Sequence, residues 1–313
     1  MKTGIKNMNK SRIGANLVFT TLPDNEECYT FENYRNLLNK YTAYLDHIGY
    51  LEFSHVLNVS PDEAVKLGNY ARSLGFEPWS IHSEHLNIGD TLEKYLTIQT
   101  HEAEVCAALG CQVMVCHLPN LRPYFDFERD LDVIGQLSDI THRCGIRLAV
   151  ETCTAPNPEN EKEILPDAEF LLRVVETLDR PDVGVNIDTG HCLIGQTRLQ
   201  EDRLNKVLSG EEEQTLPALI KRVGKKLFTT HLQDNFGMND DHQAPGFGFI
   251  DWDAVIPAIL ANGYSGPLMM ELTGMGVKSR RTVPQMKKYP LEKEMIFAAS
   301  YLNFLLKKYS AKK

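Results

Sequence analysis

The chain has 313 residues, 42% hydrophobic and 24% charged, with a formal net charge of -9. That composition builds a sizeable core, and its acidic balance argues against a surface made to neutralise the phosphates of a nucleic acid. No run of about 18 apolar residues occurs, and MKTGIKNMNKSRIGANLVF has no apolar stretch ahead of a small-residue cleavage site, so neither a membrane span nor a secretory leader is expected and the cytoplasm is the expected location.

Residues 1–11 read as a flexible segment. From residue 12 onward, short apolar and β-branched runs alternate with stretches of helical periodicity, the βα alternation that builds a parallel sheet. The strand candidates in chain order are RIGANLVF (12–19), YLEFSH (50–55), EPWSIHS (77–83), QVMVCHL (112–118), IRLAVE (146–151), VGVNIDT (183–189), LFTTHLQD (227–234) and PLMMELT (267–273). In the helix after the second strand, Ser60 is placed to cap, Glu63 follows three residues on, and Gly75 stops the run. Helical stretches close on Gly49, Gly75, Gly110, Gly145 and Gly263, each shortly before the next strand. Eight such units predict a single-domain (β/α)8 TIM barrel over residues 12–309, with 310–313 as a tail. The longest connection, NFGMNDDHQAPGFGF from Asn235 to Phe249, is expected to lie over the pocket. The last helix, PLEKEMIFAASYLNFLLKKY, has an apolar face wide enough to cover the barrel or a second copy, leaving a homo-oligomer open. Seven cysteines, at 28, 106, 111, 116, 144, 153 and 192, form no CxxC pair and read as reduced core residues, and no base is paired with any as a nucleophile.

The chemistry lies at the strand ends. Glu151, Asp188, His231 and Glu271 close the fifth to eighth strand candidates. A buried strand that ends in a carboxylate or imidazole needs a partner or a cation to offset desolvation. Any one of them could be a surface loop residue or half of a salt bridge; four on successive strands point to one divalent metal ion, for which Mn, Mg, Co and Zn all suit the donor set. Such an ion, holding a carbonyl and an adjacent hydroxyl, acidifies the intervening C–H and stabilises the enediolate, while two flanking carboxylates move the proton. His82 and His117 end the third and fourth strands and read as substrate hydrogen-bonding groups. His191, in a turn three residues after Asp188, has either that role or one of orienting Glu151 or Asp188. Phe247, with Trp79, Phe249 and Trp252, is a candidate apolar wall against a sugar carbon face, although core packing is the commoner use of such rings. His55, Glu84 and His85 read as loop residues near the funnel.

The Glu151 strand end, the DTGH run from Asp188 to His191, the HLQD segment from His231, PGFGFIDW from Pro245 and GYSGPLMMEL ending at Leu272 resemble the xylose-isomerase-like TIM-barrel superfamily. It contains sugar isomerases and epimerases, cyclitol dehydratases and endonuclease IV. The resemblance covers nearly the whole chain. It implies a divalent-metal-dependent isomerase or epimerase of a small-molecule sugar or sugar derivative, with no nucleic-acid partner. In ketohexose epimerases the metal ligands correspond to Glu151, Asp188, His231 and Glu271, and the acid and base to Glu151 and Glu271. The resemblance to endonuclease IV adds His82, His117, His191, Asp240 and His242 as further ligands of a three-metal nuclease centre; in sugar-active relatives such histidines, His242 included, hold substrate hydroxyls. A dehydratase and a noncatalytic sugar-binding barrel are the other readings. Epimerase relatives carry an arginine just after the seventh strand; none stands here between Leu232 and Trp252, which leaves Arg280 and Arg281 as the candidate cations for an anionic substrate.

Overall fold

Every segment foreseen as a strand core is one, because each is apolar, β-branched and bounded by glycine or polar turns. The computed structural model describes residues 11–17, 29–84, 91–119, 126–157, 160–166, 168–197, 205–207, 209–272 and 291–310. The barrel strands are β1 (Ile13–Asn16), β2 (Tyr50–Ser54), β3 (Glu77–His82), β4 (Val113–Cys116), β5 (Arg147–Glu151), β8 (Val183–Asp188), β9 (Leu227–His231) and β10 (Leu268–Met270). All pair in parallel in the order β10-β1-β2-β3-β4-β5-β8-β9. A parallel bridge between Leu232 and Met270 closes the ring. The fold is a TIM barrel.

Helices α1 (Phe31–Tyr41), α2 (Pro61–Ser73), α3 (Leu92–Leu109), α4 (Phe127–Arg143), α5 (Ala168–Leu178), α6 (Thr189–Thr197), α7 (Leu216–Val223), α8 (Trp252–Ala261) and α9 (Leu291–Ser310) alternate with the strands. The start of α2 is set as its sequence suggests: Glu63 Oε2 accepts from Ser60 N at 2.9 Å while Ser60 accepts from Glu63 N. Gly75, at φ 103°, turns the chain out of the helix in a conformation that a Cβ would resist. Most of the apolar core lies between strands and helices. A smaller interior cluster, Trp79, Val113, Val115, Ala149, Phe228 and Met269, plugs the barrel from within.

Two features depart from expectation, and one alternative is resolved. An antiparallel hairpin, β6 (Thr154–Asn157) and β7 (Asn160–Pro166), follows β5 outside the barrel. The strand candidates did not include it; a two-stranded ribbon tolerates its prolines because it has no central strand to interrupt. The DTGH run is not a strand-to-loop turn: α6 begins at Thr189, so His191 sits in the first turn of a helix. The last helix covers the barrel with Met295, Ala298, Ala299, Leu302, Leu305 and Leu306, while Ile296, Phe297 and Phe304 face outward. Among the described residues no helix is long and apolar enough to cross a membrane. Arg280, Arg281 and His85 lie outside the described residues.

Candidate functional site

Side chains alternate across a strand, so residues two apart face the same way. On β5 that rule sends Ala149 and Glu151 inward, on β8 Asn186 and Asp188, on β9 Thr229 and His231. Glu271, one residue beyond β10, continues the inward row from Met269. At the carboxyl end of the barrel these rows converge: ligating atoms of Glu151, Asp188, His231 and Glu271 all lie within 4.8 Å of one another. His231 Nδ1 is 3.1 Å from Glu151 Oε2 and 3.2 Å from Glu271 Oε2. Glu151, Asp188 and His231 are fully buried.

The five other histidine and aspartate candidates join the same funnel. His82 Nε2 and His117 Nε2 approach Glu151 Oε2 at 3.2 and 3.3 Å. His191 Nδ1 is 3.4 Å from Glu151 Oε1, and its Nε2 is 3.3 Å from Asp240 Oδ1. His242 reaches Asp240 Oδ2 at 3.0 Å and Glu271 Oε2 at 3.5 Å. Its backbone holds φ 46°, an unfavourable setting for a residue with a Cβ, and strain of this kind concentrates at functional sites. Three further triads also bring ligating atoms within 4.8 Å: His82, His117 and Glu151; His82, His231 and Glu271; His191, Asp240 and His242.

Phe247 is placed differently. Its ring stacks face to face on Phe297 of α9, 4.5 Å between centroids, and packs on the core. Phe249 lies edge-on to Phe236, and Trp252 is a buried donor to Asp234. Trp79 belongs to the interior plug. His55 Nδ1 lies 2.7 Å from Glu84 Oε1 near the mouth. Cys116 is buried, and burial pushes its thiol far above the ordinary range, so it is no nucleophile.

Several residues that hold the site went unnoticed in the sequence. Asn186 Nδ2 donates to Glu151 Oε2 at 3.0 Å. Thr152 Oγ1 accepts from Asp188 N, and Asp188 Oδ1 accepts from His191 N at 2.7 Å, which ties β8 to the start of α6. Gln233 Nε2 donates to Asp240 Oδ1 at 2.9 Å. Gly190 must be glycine for this, since a Cβ there would meet the Gln233 carboxamide at 2.2 Å. Glu52 of β2 sits below His231. Its signal was an acidic residue in the middle of an apolar strand.

Charge in this cluster is decided by competition. Burial alone would protonate Glu151 and Glu271, but the facing His231, with His117 for Glu151 and His242 for Glu271, outweighs it and holds both carboxyls well below their usual range. Burial would likewise strip the proton from His82 and His242; the carboxylates of Glu151 for the first, and of Glu271 and Asp240 for the second, carry both up to about 9. His117 goes the other way, lowered by burial and then by the neighbouring cation of His82, even though Glu151 draws it up. Asp188 rises to about 7, chiefly by burial, with His191 opposing and Glu151 and Glu271 adding repulsion.

The donors fit a metal. Glu151 Oε1, Glu271 Oε2, Glu52 Oε1 and both ring nitrogens of His231 are buried and in ion-pair contact with one another or with His191, yet none forms a well-aligned hydrogen bond. Orphaned acceptors in a closed pocket are costly unless a cation takes them up, and three carboxylates with one imidazole are a donor set for a hard or borderline divalent ion.

Comparison with known proteins follows the same lines. Residues 43–296 match the family model described as xylose isomerase-like TIM barrel. Inosose isomerase of Bacillus subtilis is 28% identical over 185 residues, 54% of this chain and 56% of that protein. The uncharacterized protein y4fM of Sinorhizobium fredii is 28% identical over 176 residues, 54% of this chain and 49% of that one. The chain thus spans about half the length of the curated relatives it matches. Among solved structures, L-ribulose 3-epimerase superposes with TM-score 0.68 at 15% identity, covering 96% of both chains. An IolI protein crystallised with a zinc atom superposes with TM-score 0.61 at 19% identity, covering 90% of this chain and 95% of that one. The chain belongs to the xylose isomerase-like TIM barrel family.

Proposed function

We propose that this protein is a divalent-metal-dependent isomerase or epimerase of a small sugar or sugar derivative, working by proton transfer next to a carbonyl. The observation that carries the reading is the convergence of Glu151, Asp188, His231 and Glu271 at the barrel mouth. These four would hold the ion, which when bound supplies Lewis acidity toward a carbonyl and its neighbouring hydroxyl. Inosose isomerase among the sequence relatives and L-ribulose 3-epimerase among the structural ones support the substrate class.

The chain's own residues do the rest. Glu151 and Glu271 stay ionised despite burial, so each can take a proton from carbon, and the same pair can return it to the same or the opposite face. His82 and His242, charged at neutral pH, donate hydrogen bonds to substrate oxygens. His117, held neutral by burial, keeps an acceptor. His191, anchored through Nδ1 near Thr152 O at 3.0 Å, orients Glu151 and donates toward Asp240.

The test is metal content together with deuterium exchange at the carbon beside the carbonyl, run over a panel of ketohexoses, ketopentoses and inososes. One tightly held divalent ion and exchange lost by at least about 100-fold in Glu151→Gln and Glu271→Gln are expected. A protein that takes up no divalent metal, or variants that exchange like wild type, would refute the mechanism.

A second reading has one specific observation in its favour: the separate triad of His191, Asp240 and His242, which with His82 and His117 makes room for further ions as in endonuclease IV. Three metals per chain and cleavage of an abasic duplex would establish it. The net charge of -9 favours a small-molecule substrate over a nucleic acid.

A further inference from the structure

Glu52 is wholly buried at the centre of β2, between the buried apolar residues Leu51 and Phe53, and no step above uses it. Its Oε1 lies 2.8 Å from His231 Nε2, and its Oε2 accepts a 2.6 Å hydrogen bond from Ser80 Oγ of β3. His231 therefore bridges two layers of the barrel. Its Nε2 meets Glu52 below, and its Nδ1 meets Glu151 and Glu271 above, at 3.1 and 3.2 Å. The ring of His82 stacks over that of His231 at 5.5 Å and restricts its tilt. Among the described residues, Glu52 is the one carboxylate within ion-pair distance of Nε2. A buried carboxylate is retained only where something offsets its desolvation, and among the described residues the cation-forming group in ion-pair contact with Glu52 is this imidazole.

We infer that Glu52 is a positioning residue of the metal centre: it locks the His231 ring so that Nδ1, not Nε2, is presented to a divalent cation, with Ser80 holding the Glu52 carboxylate in place. The inference rests on the metal-dependent reading proposed above. Its chemistry is general: an imidazole that ligates through one nitrogen is oriented by the acceptor its other nitrogen faces, and losing that partner weakens metal binding by roughly 10- to 100-fold. Five strands contribute to the arrangement, β2 and β3 from one side of the barrel and β9 and the ends of β5 and β10 from the other, so the interior of the barrel, not a loop, sets the ligand geometry.

The experiment compares Mn(II) and Zn(II) affinity, by competition with a chromogenic chelator, in wild type, Glu52→Gln and Ser80→Ala, beside thermal unfolding of each protein in excess EDTA. The expected result is an affinity loss of roughly 10- to 100-fold in Glu52→Gln and a smaller one in Ser80→Ala, exceeding any change in metal-free stability. Equal affinity in wild type and Glu52→Gln, even with a lowered metal-free melting temperature, would make Glu52 a packing residue and overturn the inference alone. Absence of metal from wild type would overturn the functional reading instead, and this one with it. Should Glu52→Gln fail to fold, long-range nitrogen–proton NMR of the histidines in zinc-loaded wild type decides: coordination of His231 through Nδ1 supports the inference, and coordination through Nε2 overturns it.

Discussion

Glu102 illustrates how much a single buried group can tell. It lies on α3, fully buried, and its carboxylate accepts from Glu84 N at 3.1 and 3.0 Å and from Gln99 Nε2 at 3.1 Å, with the cation of His82 acting weakly on it. Burial pushes the carboxyl up to about 8, although the Glu84 backbone N–H pulls the other way. A free glutamate titrates near ~4.3, so between those values the folded chain holds a proton that the unfolded chain has released. Its contribution to stability is therefore full below about 4.3 and lost as the pH rises through about 8. Glu102→Gln, which cannot ionise, is expected to gain on wild type steadily between pH 5 and pH 8.5. Denaturant unfolding across that range in the presence of EDTA measures the gap, and a gap that stays constant would mean that Glu102 keeps an ordinary affinity for its proton. Neither the burial nor the Glu84 contact is written in LEKYLTIQTHEAEV, where Glu102 reads as one more polar helix position. By contrast Glu151, Asp188 and His231 declared themselves, because each breaks an apolar strand at its end.

At the scale of elements, the loop from Asn235 to Phe249 is organised by one side chain. Asp234 accepts from Asn235 N at 3.0 Å, Gly246 N at 2.9 Å, Ile250 N at 3.2 Å and Trp252 Nε1 at 2.8 Å. A Cβ at Gly248 would come within 2.2 Å of Asp234 Oδ1, which explains the glycine in PGFGFIDW better than any contact with substrate does. That loop carries Asp240 and His242, so Asp234 acts on the site through backbone that it ties down. Asp234→Ala leaves several buried donors without an acceptor, at a cost of about 3 kcal/mol or more. Urea unfolding should register that loss, and limited proteolysis should show new cleavage between residues 235 and 250. A variant as stable and as resistant as wild type would show that the loop holds its shape without Asp234. The motif was readable as a marker of family; its mechanical role needed the hydrogen bonds. The β6–β7 hairpin was unreadable for a related reason: short segments with prolines carry no strand periodicity of their own, and only the pairing between them makes the ribbon.

Taken whole, the molecule places at least four carboxylates and five imidazoles in one pocket, a large concentration of titratable groups that a divalent ion would offset. Binding a divalent ion should then stabilise the chain as a unit, by ~2.7 kcal/mol at a free concentration 100 times the dissociation constant, or on the order of 5 °C in melting temperature for a protein of this size. Calorimetry in EDTA and after adding Mn(II), Mg(II), Co(II) or Zn(II) tests this; melting unmoved by all four would sink the metal reading. The same comparison ranks the ions, which donor type alone does not do. The sequence by itself determined the barrel and the donors at its mouth, since two-residue and near-four-residue periodicities record which faces are buried, and a charged strand end is a local anomaly. Only the tertiary structure decided that Glu52 lies under His231, that Phe247 turns to α9, and that nine donors from six strands and their loops meet. Those are contacts between segments far apart along the chain, and no local pattern encodes which distant residue will arrive opposite.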